Sequence, residues 1–166
     1  MKIETPAALR FIMQDDVYLL PADKTEPVSK PTKTILKTPK IDFNYLGKNN
    51  KKFLVVTHYT GHEFIADTHL TALESILKRK DYALEDVAIF NLANHVGADF
   101  EQLQSYFNPQ KILLLGKNAL PANMEVLVFN QPKNIGQAIA LYSFSFDDMM
   151  DDVANKKAFW EQMKTL

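Results

Sequence analysis

The chain has 166 residues, 46% of them hydrophobic and 23% charged, with a net charge of −1, which suits one ordinary soluble domain with a tail. It has no cysteine, so disulfides, thiolate zinc sites and cysteine nucleophiles are excluded, in keeping with a reducing cytoplasm. No apolar run reaches the roughly 18 residues of a membrane span, and the opening "MKIETPAALRF" lacks the apolar run of a secretory signal.

Residues 5–13 suit a short helix, with Thr5 as N-cap, Pro6 at the first helical position, and Ala8, Leu9, Ile12 and Met13 on one face. "VYLL" at 17–20 reads as an extended segment ended by Pro21. Next comes "KTEPVSKPTKTILKTPK", with three prolines, five lysines and four threonines. Such a stretch buries too little apolar surface to offset the entropy of ordering it. The chain therefore divides into an apolar segment at 1–22, a basic linker at 23–50 and a body at 51–166. From Lys24 to Lys52 eight lysines face Glu26 and Asp42, a net of +6, so the remainder carries −7. A basic linker can brush nucleic acid weakly, although this one lacks the arginines and interleaved aromatics of stronger binders.

From Phe53 strand and helix patterns alternate. Apolar runs predict strands at 53–59, 86–92, 111–116 and 125–130. Between them, 62–80 repeats Phe64, Ile65, Leu70, Leu73, Ile76 and Leu77 at helical spacing, and 99–107 does so with Phe100, Leu103 and Phe107. Residues 134–143 read as helix or extended chain, followed by C-terminal helices. Strands joined through helices imply βαβ units. The expectation is a three-layer α/β/α body with a mainly parallel sheet of four to five strands.

In such sheets, ligands gather where strand ends meet helix starts. The first junction is "VVTHYTGHEF", where Thr57, Thr60 and Gly61 partly echo the phosphate-cradling loop of flavodoxin-like proteins. Glu63 would repel a phosphate there, so Thr60 is read instead as the cap of the following helix, with Glu63 completing a capping box. His62 and His69 stand two helical turns apart, about 10 Å, too far for joint ligation. With His58 and His95 they are read as surface or capping residues. Asp147, Asp148, Asp151 and Asp152 suit the positive end of a helix, Ser145 and Asp148 forming a capping box. No Walker loop, dinucleotide fingerprint or nucleophile elbow occurs. No metal, cofactor or catalysis is expected.

The C-terminal "FDDMMDDVANKKAFWEQM", with Ala158, Phe159, Trp160, Glu161 and Gln162, resembles the end of the psi subunit of bacterial DNA polymerase III. "FLVVTHY", the helix after it and "LEDVAIFNL" extend the resemblance. "LRFIMQDDVYLLP" looks like the psi segment with a leucine-rich turn, an aromatic residue and a proline, Tyr18 taking the aromatic's place. Leu19 and Leu20 stand where psi has basic residues. The resemblance implies a non-catalytic adaptor. Its N-terminal segment, through Leu9, Ile12, Val17, Tyr18 and Leu20, would dock on clamp-loader subunits, while its body binds a chi-like subunit. The linker would make both contacts possible at once. A small-molecule or nucleotide-binding protein using the 57–63 loop is the alternative. Trp160 is expected to be a core anchor for the last helix, near Ile139, Phe146 and Phe159.

Overall fold

Most of the apolar runs read from the sequence meet in one six-stranded sheet in the computed structural model, which describes residues 41–166. The strands are β1 (Leu46–Gly47), β2 (Phe53–Thr57), β3 (Val87–Asn91), β4 (Lys111–Leu115), β5 (Pro132–Ile135) and β6 (Ala138–Ser143). Their spatial order is β1-β3-β2-β4-β6-β5. The four inner strands run parallel, while β1 and β5 are antiparallel edges. Every residue of β2 and β3 is buried, as expected of parallel strands covered on both faces.

Successive side chains point to opposite faces, and the apolar residues divide accordingly. Phe53, Val55, Ile89 and Leu113 join Leu73 and Leu77 of α1 (Asp67–Lys78), Phe146 and Met149 of α3 (Phe146–Asp151), and Phe159 and Met163 of α4 (Val153–Met163). Leu54, Val56, Phe90 and Leu114 join Phe100, Leu103 and Phe107 of α2 (Phe100–Phe107). The chain steps from β2 outward to β3, then back across β2 to β4. Right-handed crossovers in those two directions put α1 and α2 on opposite faces. Among the described residues no helix is long and apolar enough to cross a membrane.

Four expectations need correction. First, 125–130 is not a strand. Glu125, Val126, Val128 and Phe129 are exposed, and Met124 and Leu127 pack onto the α2 face of the sheet, so this irregular segment serves as cover. The sheet position goes to 138–143, read earlier as helix or extended, where β5 and β6 form a hairpin around Gly136 at φ +58°. The sheet thus has six strands, not four or five.

Second, the body begins before residue 51. Phe43 is buried edge-to-face against Phe90 and Tyr106, and β1 pairs with β3. Gly47 has φ +103°, and a Cβ there would lie 2.1 Å from the Val87 carbonyl oxygen. The chain can pass so close only without a side chain. Residues 1–22, and the linker as far as residue 40, lie outside the described residues.

Third, α1 starts at Asp67 behind Ala66, which gives no side-chain cap; Thr60 stays exposed in a turn and forms no capping box with Glu63. Fourth, Trp160 is only partly buried; Phe159 and Met163 anchor α4 instead. Two caps stand as read or nearly so: Ser145 and Asp148 form the expected box, and Asp152 caps α4 through the Ala154 N–H.

Candidate functional site

The strand order reverses between β2 and β4, so the loops leaving these strands part to opposite faces. Open α/β sheets bind ligands in the crevice at such a switch point. Here the crevice is a cleft of about 360 Å³ lined by His58, Gly116, Lys117, Phe129, Ser143 and Asp147, among others.

The loop after β2 is held from below by Asn91, the last residue of β3. The Asn91 carboxamide oxygen accepts from the backbone N–H of Tyr59 at 2.9 Å and of Ala93 at 3.1 Å. Its NH₂ donates to the carbonyls of Tyr59 and His62, both at 2.9 Å. Asn94 adds bonds to the carbonyls of His62 and Glu63 at 3.0 and 2.8 Å. Asn91 is 1% exposed, so its four bonds form away from water, where leaving them unmade is costly. The loop conformation is therefore imposed by β3.

That clamp decides what the predicted loop residues do. The Thr57 hydroxyl is buried and donates toward the Phe64 and Phe90 carbonyls, at 3.0 and 3.3 Å. Thr60 and Gly61 are exposed, and the open space around Gly61 leaves them at the loop tip. The structure brings Thr57, Thr60 and Gly61 into one loop but turns Thr57 away from the other two. The start of α1 lies several residues further on, so its backbone N–H groups do not complete a cradle with this loop.

A second pair ties the loop to the C-terminal helices. The Tyr59 hydroxyl meets His69 Nδ1 at 2.8 Å, and the His69 ring stacks on Phe146 at 5.4 Å between centres. His69 Nε2 lies 3.8 Å from the exposed carboxylate of Asp147. Burial, and secondarily the charge of Asp147, push the Tyr59 hydroxyl well above the usual tyrosine range. Tyr59 is therefore a neutral hydrogen-bonding partner throughout the physiological range. His95 stacks on Phe90 at 4.8 Å, and His62 supplies its carbonyl to the clamp. His69 and His95 pack more deeply than a surface reading implies.

The hydroxyls along the cleft are also committed. Ser143 donates to the Asn130 side-chain oxygen at 2.8 Å, and Ser145 to Asp148 at 2.7 Å within the α3 cap. Asp147 and Asp148 occupy the positive end of α3. Half-buried His58 and exposed Lys117 and Asn118 also line the cleft, with no side-chain hydrogen bond among the described residues. No group of three or more metal-ligating side chains gathers among the described residues.

Sequence reasoning missed the Asn91 clamp and the Tyr59–His69 pair. An asparagine closing a run of buried apolar residues, as in "VAIFN", was the available signal. Leu9, Ile12, Val17, Tyr18 and Leu20 lie outside the described residues. No protein-family model matches the chain, and no curated protein matches it.

Proposed function

We propose that the protein is a non-catalytic adaptor, resembling the psi subunit of bacterial DNA polymerase III, that links a clamp loader to a second, chi-like partner in the cytoplasm. The observation that carries this reading is the commitment of the switch-point hydroxyls and of the Asn91 amide to the protein's own framework. Thr57, Asn91, Ser143 and Ser145 each spend their side chains on internal bonds. A three-layer body built this way is a rigid platform, and the order of apolar segment, basic linker and body supports two contacts at once. Leu9, Ile12, Val17, Tyr18 and Leu20 bind the clamp loader on this reading, and the lysine-rich linker adds weak contact with nucleic acid.

Deleting residues 1–22 is the test. Capture of purified clamp-loader subunits should be abolished while the melting temperature of the body changes little. Retained capture, or a large fall in melting temperature, would refute the reading.

One observation favours a second reading, a nucleotide or small-molecule site. The 57–63 loop lies at the switch point, with Lys117 lining the cleft beside it. Titration with FMN and simple nucleotides, followed by thermal shift, separates the two.

A further inference from the structure

On the α1 face a groove runs between α1, α3 and α4, its floor residue Phe146 lying next in sequence to Asp147 of the cleft. Phe146, Met149 and Phe159 form its floor, each no more than 2% exposed. Ile76 and Trp160 form its walls, and at its mouth Met150 is 44% exposed. Its volume is about 210 Å³, below the roughly 300–1,000 Å³ of pockets that enclose a cofactor-sized ligand. It has room for one or two side chains.

Its charge is one-sided. Arg79 lies over the Trp160 ring, 5.5 Å from the ring centre, and Lys156 stands on the opposite helix. Neither is in an ion pair among the described residues, and no carboxylate lines the groove. This is an apolar slot with a cationic rim on a body that is otherwise acidic. A neutral apolar segment would fill the slot and leave both cations unused; a basic one would be repelled.

We infer that the groove is a docking site for an acidic peptide segment of another protein, which inserts one large apolar side chain between Phe146 and Trp160 and sets carboxylates against Arg79 and Lys156. Anchors of this kind carry most of the energy of an interface, and the charges set partner choice. The inference is independent of the adaptor reading and holds whether or not residues 7–20 bind a clamp loader.

Trp160 is the only tryptophan of the chain, so its emission reports directly on the groove. Random 12-residue peptides displayed on phage are selected on the full chain, and the enriched peptides are synthesised and titrated against Trp160 fluorescence. The winners should be acidic with one Phe, Leu or Trp, should shift Trp160 emission, and should weaken as salt rises from about 0.05 to about 0.5 M. Arg79→Glu with Lys156→Glu should weaken them at least about tenfold with the melting temperature preserved. Lys156→Glu alone, at an exposed position, gives the same direction should the double variant fold poorly. Winners without net negative charge, winners that bind the variants equally, or no winners at all would overturn the inference. So would a concentration-dependent shift of Trp160 in the chain alone, which would make the groove a self-interface.

Discussion

Removing the Asn91 side chain tests whether β3 dictates the shape of the loop after β2. Asn91→Ala deletes four hydrogen bonds, three at 2.9 Å and one at 3.1 Å. At about 0.5–1.5 kcal/mol each, full additivity would give about 2–6 kcal/mol. Asn94 still holds the His62 carbonyl, which places the loss near 3 kcal/mol, or about 10–15 °C in melting temperature for a body of this size. Asn91→Asp sharpens the test. Its protonated form keeps an acceptor for the Tyr59 and Ala93 N–H groups and a donor for one carbonyl. Its ionised form sets a buried negative charge against the Tyr59 and His62 carbonyl oxygens. The folded-state pKa of the new carboxyl is therefore raised above the unfolded value of about 3.9. Its contribution is fully present below about pH 4 and is lost as pH rises through the raised value. Urea unfolding followed by Trp160 emission should show Asn91→Asp close to the parent near pH 4 and close to Asn91→Ala near pH 7. A cost below about 1 kcal/mol for Asn91→Ala, or an Asn91→Asp penalty that does not change with pH, would refute the clamp.

Phe159→Ala should cost about 3–5 kcal/mol in denaturant unfolding, since Phe159 is 1% exposed. Trp160→Ala, at the edge of the groove, should cost less than half as much, reversing the order that size alone suggests. Gly47→Ala should destabilise by about 2–4 kcal/mol in the same assay, because both the positive φ and the Val87 carbonyl oppose a side chain. Raised pKa values at Tyr59, Tyr106 and Tyr142 come first from burial. Their contribution is full below the unfolded value of about 10 and falls as pH rises above it. Tyr59→Phe should therefore be less stable than the parent near pH 7, having lost its bond to His69, yet lose less on going to about pH 11.

The three central strands were readable because β2, β3 and β4 are apolar on both faces, a pattern few other environments demand. "MEVLVFN" carries the same composition without the same surroundings. Met124 and Leu127 need only one face of contact, and nothing local says that the contact is with the top of the sheet and not its edge. Trp160 was expected in the core as the anchor that keeps the last helix from fraying. Helical register instead pairs Phe159 with Met163, four residues on, and turns Trp160 toward the groove. The role of Gly47 depends on Val87, 40 positions away, and that of Asn91 on carbonyls 29 and 32 positions away. Such long-range approaches leave no periodic trace. The Ser145–Asp148 box was legible because both of its members lie within one turn.

The central place of β2 shapes how the chain can be made. Its two neighbours both come later: Phe53 pairs with Val87, 34 positions on, and with Lys111, 58 positions on. During synthesis β2, four apolar residues and Thr57, therefore waits for both of its partners with its edges unpaired. When β4 arrives, its own outer edge waits in turn for β6, whose register begins with Lys111 against Ile139. The sheet thus closes from its middle outward, and only after most of the body has been translated. A product stopped short of residue 138 would leave the outer edge of β4 without the strand that pairs with it.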